Sequence, residues 1–340
     1  MYRLARGIAG LLTAAGVCLL AAGGVLGGLG ARMAERPQEE RMRNVRLLPR
    51  PVSERRSVKA PLQSAAAVPP PLPVLETTAP LPSPDNRDSV RETTIEGGLR
   101  IKNETNYWVD AAEILAGGPG LTLPPDEVQI LIIHTHASEA YTQAGLDRYS
   151  ASDANRTEDT QFNIVRIGDE LTELLTEYGL NVLHDRGIYD YPSYTGSYTR
   201  AGDAIEQYLQ SCPGIRIVLD IHRDALGSNG VVYKTMAEEE GTVASQIMLL
   251  VGTDESGLEH PYWRSNLALA LYLQNAVNSA FPTLMRPVAL VPQRYNQHLT
   301  PGSLILEVGS SGNTLREAIA AIRLFARAAG PALAELVEAE

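Results

Sequence analysis

Ile217-Val218-Leu219-Asp220-Ile221-His222-Arg223-Asp224 is the stretch on which the fold turns. Apolar, mostly β-branched residues surround Asp220, as in a strand buried on both faces. The run then ends in a His set among charges. Val128-Gln129-Ile130-Leu131-Ile132-Ile133 has the same design and ends in His134-Thr135-His136, and Ser303-Leu304-Ile305-Leu306 ends in Glu307. In an open α/β sheet, ligands bind in the crevice outside the carboxyl ends of the strands. Three apolar strands thus each deliver a metal-binding or proton-transferring residue to one kind of position.

The segments between these strands alternate with them. Residues 159–178 read as a helix, with Asp159 as N-cap, apolar residues at helical spacing and Gly179 as the stop. Residues 180–184 read as a second core strand, and residues 199–210 as a helix leading into the His222 strand. Strands at 231–234 and 246–251, a helix over 262–279 and a final helix over 315–328 complete the pattern, after short strands at 99–102 and 107–109. This alternation predicts an α/β fold, a mostly parallel sheet flanked by helices. His184 and His260 have no partner that the sequence names.

Of the 340 residues, the first 92 do not belong to that core. Arg3 and Arg6 precede residues 7–30, which contain no charged side chain and suffice for a membrane-spanning helix of about 20 residues. A cleaved signal peptide is the rival reading of this run. Residues 33–92 hold Pro69-Pro70-Pro71-Leu72-Pro73 and Pro80-Leu81-Pro82-Ser83-Pro84, the composition of an extended linker without a packed core. The expected organisation is therefore an anchor over 1–32, a disordered linker over 33–92 and a globular domain over 93–340. Residues 1–92 carry a net charge of +5 and residues 93–340 a net charge of −16. An acidic domain is a poor binder of nucleic acid, and that class is set aside. Of the two cysteines, Cys18 lies in the apolar run, so the domain is expected to stand without a disulfide.

His134 and His136 stand two apart, a spacing that puts strand residues on one side, with Glu139 on the following loop. His134 or His136, His222 and a carboxylate, Glu139 or Glu158, make the donor set of a catalytic zinc site, which has three protein ligands and a place for water. Glu307, at the end of an apolar strand, suits the base that moves the water's proton to a leaving amine. Arg223 or Arg294 would hold a substrate carboxylate or steady an oxyanion. Tyr189, Tyr191, Tyr194 and Tyr198 lie on a Pro/Gly loop suited to sugars or peptides, or equally to packing that loop onto the domain. The sum is metal-assisted amide hydrolysis. A non-catalytic wall-binding module and a metal-dependent carboxypeptidase are the alternatives.

His134-Thr135-His136-Ala137-Ser138-Glu139, Asp190-Tyr191-Pro192-Ser193-Tyr194, Asp220-Ile221-His222-Arg223-Asp224 and the segment from Arg294-Tyr295-Asn296-Gln297-His298 through Gly312-Asn313 resemble the stage II sporulation protein P family. The resemblance spans residues 95–330. It implies a membrane-anchored peptidoglycan hydrolase of forespore engulfment, outside the cytoplasm, working with stage II sporulation proteins D and M. It also implies a zinc amidase-like fold that cuts the bond between N-acetylmuramic acid and L-Ala, or peptide cross-links. Carried onto this sequence, the ligands are His136, His222 and Glu139, with His134 as the competitor of His136. Glu307 is then the catalytic carboxylate, Arg223 assists it, and Arg294, Tyr194 and Asn296 contact substrate.

Overall fold

The computed structural model describes residues 90–93, 99–228 and 231–339. The expected anchor and almost all of the expected linker lie outside them. No helix among the described residues is long and apolar enough to cross a membrane.

The chain begins with β1 (Val90–Thr93), β2 (Ile101–Asn103) and a short helix, α1 (Ala111–Ala116). The first core strand, β3 (Ile130–Ile133), is followed by α2 (Ile164–Glu177), β4 (Val182–His184), α3 (Ser197–Ser211) and β5 (Ile217–Asp224). Four short strands come next: β6 (Gly227–Ser228), β7 (Val231–Thr235), β8 (Ala237–Glu239) and β9 (Thr242–Ala244). The chain closes with β10 (Ile247–Gly252), α4 (Trp263–Ala280), β11 (Val288–Val291), β12 (Gly302–Ser310) and α5 (Leu315–Ala334).

Seven strands form the main sheet in the order β2-β11-β10-β12-β5-β3-β4. Its pairs are parallel except β10 with β12. The expected mostly parallel α/β sheet is what forms, and β5 sits inside it, buried along all but its last residue. One face is closed by α2, α4 and α5, whose apolar residues pack on Ile132, Leu219, Leu249, Leu290 and Leu306 in one continuous core. On the other face α3 lays Ala201 and Ile205 over Leu131, Ile133 and Val218. Beyond them on that face, Met248, Leu250, Ala289, Val291 and Ile305 form a separate cluster with Tyr295.

Three local readings are corrected. The helix expected from Asp159 starts at Ile164, capped by Asn163, whose side chain accepts from the Val165 amide. Asp159 instead caps a preceding turn by accepting from the Gln161 amide. An Asx side chain serves either purpose, and Asn163 abuts the first buried helical residue. The strand expected at 107–109 does not form. Tyr107 stacks on Trp263 at 4.9 Å and donates its hydroxyl to Asp254, while Trp108 is exposed. The hairpin β8–β9 was not expected, although its turn is written in the sequence. Glu240 and Gly241 both take positive φ, 52° and 74°, as a two-residue hairpin turn of the primed type requires.

Helix α2 approaches β3 and β4 closely at Gly168. A Cβ there would lie 2.5 Å from His184 Nε2 and 2.6 Å from His134 Nε2. Gly168→Ala should therefore destabilise the domain. Overpacking costs about 1–3 kcal/mol, which exceeds the roughly 1 kcal/mol that alanine gains inside a helix. Thermal unfolding followed by circular dichroism should show a lower Tm, and an unchanged or higher Tm would contradict this packing.

Candidate active site

After Ile133 the chain leaves β3 and turns tightly, the Glu139 amide donating to the His136 carbonyl at 3.0 Å. This turn carries His136 and Glu139 back toward β5. Two-residue spacing on β5 presents Asp220 and His222 on one face. The result is a cluster in which ligand atoms of His136, Glu139 and His222 all lie within 4.8 Å of one another. His136 Nδ1 stands 3.8 Å from Glu139 Oε1, and His222 Nδ1 stands 3.4 Å from Glu139 Oε2. Donors on a tetrahedral zinc, with bonds of about 2.0–2.3 Å, sit roughly 3.3–3.8 Å apart. The donor chemistry and the spacing both fit such an ion.

The outer nitrogens are held as well. His136 Nε2 lies 3.1 Å from Ser197 Oγ, at the first residue of α3. His222 Nε2 lies 2.9 Å from Asp220 Oδ1. Tying one ring nitrogen to an oxygen turns the other toward the ligand position. Asp220 in turn accepts from the Thr135 amide at 2.8 Å and the Thr135 hydroxyl at 2.6 Å.

The electrostatics suit a cation. Burial raises the carboxyl pKa of Glu139, but Arg223 and His222 outweigh it and hold the group well below the usual range. Burial disfavours the charged form of His222, yet Asp220 and Glu139 outweigh that and raise its pKa well above the ordinary value. His136 goes the other way, lowered to about 4 by burial and by His222. A neutral imidazole, two carboxylates and a readily charged imidazole thus share one buried pocket.

Glu307 sits on β12 opposite His222 in the β5 register and lines the same cleft as the cluster. Its Oε2 is buried with no hydrogen-bond partner. Burial and then the charge of Asp224 push its carboxyl up to about 8. A buried, orphaned and proton-retaining carboxyl calls for a functional reason.

The other expected residues scatter. His134 faces away from the cluster, with Nδ1 3.1 Å from the Ile221 carbonyl and Nε2 2.8 Å from His184 Nε2. The structure brings His136 and not His134 to the cluster, because β3 ends at Ile133 and the two-residue rule no longer aligns them. His184, whose partner the sequence did not name, holds His134 and lies 3.2 Å from Asp169. Glu158 is exposed and outside the cluster, so of the two carboxylates only Glu139 is brought there. Arg223 lines the cleft, but its guanidinium donates to the Ala140 and Asn155 carbonyls and lies 3.9 Å from Glu139. It steadies Glu139. Arg294 binds the Glu259 carbonyl and is not among the cleft-lining residues. Asn296 also stands off the cleft, and donates to the Tyr198 carbonyl. Tyr194 does line it, stacked on His136 at 4.5 Å.

Sequence reasoning gave no role to Asp220, Ser197, Arg156 and Asp190, although Asp220 and Asp190 stand in the motifs quoted above. Arg156 binds Asp190 at 2.7 Å and Glu139 at 3.3 Å, and Asp190 accepts from the Ser138 amide. Only Asp220 carried a local signal, its two-residue spacing from His222. The others meet the site through tertiary contacts.

Among solved structures, the chain is similar to the N-acetylmuramoyl-L-alanine amidase AmiC2 of Nostoc punctiforme, at 12% identity over 61% of this chain and 96% of that one, with a TM-score of 0.36. It is also similar to the N-acetylmuramyl-L-alanine amidase Ami1 of Mycobacterium smegmatis, at 14% identity, the same coverages and a TM-score of 0.36. Among curated proteins, it is 24% identical over 207 residues to stage II sporulation protein P of Bacillus subtilis (strain 168). That match covers 56% of this chain and 48% of the relative, so it spans about half of the relative's length. The sequence model of stage II sporulation protein P, SpoIIP, matches residues 77–330, and the chain belongs to that family.

Proposed function

We propose that this protein is a zinc-dependent peptidoglycan hydrolase that cleaves the amide between N-acetylmuramic acid and the L-Ala of the stem peptide during sporulation. The observation that carries the reading is the His136–Glu139–His222 cluster sharing one cleft with the unpartnered carboxyl of Glu307. Membership of the SpoIIP family supports the sporulation setting. The proposal extends to an extracytoplasmic domain anchored through residues 7–30, to stage II sporulation proteins D and M as partners, and to peptide cross-links as a second bond cut by the same chemistry.

Zinc bound by His136, Glu139 and His222 would polarise the scissile carbonyl and make water a nucleophile near neutral pH. Glu307 takes the proton of the attacking water and returns it to the leaving nitrogen, for which a carboxyl near the working pH is well matched. Asp220 and Ser197 hold the two imidazoles in orientation. Arg223 and Arg156 hold Glu139. Tyr194 covers His136 at the mouth of the cleft, where a sugar or peptide can stack.

Digestion of purified peptidoglycan by the zinc-loaded chain, read by mass spectrometry, tests this. Wild type should release free stem peptides and leave unsubstituted glycan. His222→Ala should lose both zinc and activity. Glu307→Gln should keep zinc and lose about 10²- to 10⁴-fold in rate. Equal release by all three proteins would refute the site. Tight wall binding without release would favour a binding module, and activity only on peptides with a free C-terminus would favour a carboxypeptidase.

The same carboxyl carries a stability cost. Glu307 titrates near 8 when folded, against about 4.3 in an unfolded chain. From about pH 4.3 to pH 8 the unfolded state therefore binds fewer protons than the folded one, and stability falls as pH rises. Glu307→Gln removes this penalty. In metal-free protein at pH 8 its Tm should exceed that of wild type by a few degrees, since about 1 kcal/mol moves Tm by roughly 2–4 °C in a domain of this size. The gain should shrink at pH 5. A lower Tm for the variant at pH 8 would show that the Glu307 carboxylate is stabilised where it sits.

A further inference from the structure

The cations that line the cleft are each engaged, Arg223 with the Ala140 and Asn155 carbonyls, Arg156 with Asp190 and Glu139, Arg286 with Asp224 and Lys102 with Glu104. Arg294 is held outside, so a neutral donor is wanted to face the developing negative charge on the substrate oxygen. Tyr198 is placed to serve there instead. It is the second residue of α3, next to Ser197, which holds His136. Its ring meets His136 edge-on at 5.3 Å and lies 5.4 Å from Tyr295, and all three line the cleft with Glu307. Asn296 fixes its backbone by donating to the Tyr198 carbonyl at 2.8 Å.

The side chain is partly buried, and its hydroxyl makes no hydrogen bond to any described residue. Three other tyrosine hydroxyls of the domain are engaged: Tyr141 donates to the Val308 carbonyl, Tyr149 to the Tyr141 carbonyl and Tyr107 to Asp254. A phenol left without a partner beside a cluster of carboxylates and imidazoles has its donor available for a ligand.

We infer that the Tyr198 hydroxyl is a catalytic hydrogen-bond donor, binding the carbonyl oxygen of the scissile amide as that oxygen becomes anionic. The inference rests on the hydrolytic reading above and adds a residue to it. No proton is transferred: the O–H bond stays intact, the hydrogen bond strengthens as charge develops, and it relaxes when the carbonyl re-forms. A tyrosine phenol ordinarily titrates at about 10, so at neutral pH the group keeps the proton it must donate. Donors aimed at a developing oxyanion inside a water-poor cleft are worth far more than in water, and removing one costs about 10²- to 10³-fold in kcat.

Tyr198→Phe removes one oxygen and leaves the ring against His136 and Tyr295. In the full chain loaded with zinc, kcat on purified peptidoglycan should fall about 100-fold. KM, zinc affinity by calorimetry and Tm should each stay close to wild type. A phosphinic dipeptide, whose tetrahedral oxygens mimic the charged species, should bind the variant more weakly by a similar factor. A kcat within threefold of wild type would overturn the inference. So would a loss of kcat matched by an equal loss of zinc affinity, which would make Tyr198 a wall for His136 only. If wild type itself releases nothing from the wall, the peptidoglycan reading fails separately, and the phosphinic dipeptide decides Tyr198: equal affinity for both proteins rejects the donor role.

Discussion

Asp220 is the joint on which the site depends. Its buried carboxylate binds the Thr135 amide and hydroxyl with its two oxygens, and one of these also lies against His222 Nε2. It therefore fastens the turn after β3 to β5 and orients the His222 ring in the same act. Burial opposes an ionised carboxyl, and here His222 and Thr135 outweigh it, so Asp220 stays ionised below its usual pKa. A carboxylate so engaged can be held in a dry interior, whereas one with a single weak partner would protonate. This joint acts together with the Arg223 amide, which donates to Glu139 Oε2, in setting how His136 and Glu139 meet His222.

The charges around the cluster follow from that joint. Glu139 draws Arg223 and Arg156 to itself, and Arg156 also binds Asp190, which ties down Ser138 in the same turn. These guanidiniums are structural counter-charges. They leave Glu139 ionised and therefore able to act as a metal ligand, which a protonated carboxyl cannot do. Glu307 is treated differently: burial and the charge of Asp224 outweigh His222 and Arg286, and it keeps its proton to about pH 8. Two carboxyls in one cleft, pushed apart in pKa by their partners, can take different roles, one holding a cation and one moving protons.

The strands that position this chemistry were legible in the sequence because each is an apolar run ending in a polar residue, a pattern that depends on local composition. The ends of those runs were less so. His134 and His136 are alike in sequence, and what separates them is the point at which β3 stops and the contact of His134 with His184, fifty residues away. The choice of Asn163 over Asp159 as a cap was hidden for a similar reason, since both are good caps and packing of Ile164 decides between them. Arg223 lines the cleft, and its bonds there were hidden because its acceptors are backbone carbonyls that no residue type announces.

The cleft itself follows from an uneven sheet. Helices α2, α4 and α5 cover one face, while α3 packs on the β3 and β5 part of the other. The cleft extends past α3 onto Met248, Leu250, Ala289, Val291 and Ile305, an apolar floor beside Glu307. The start of α3 thus becomes the wall of a site, which is why Ser197 and Tyr198 are the helix residues that reach it. The antiparallel register of β10 with β12 sets Met248 opposite Glu307. The apolar neighbour so placed adds to the burial that raises the pKa of Glu307.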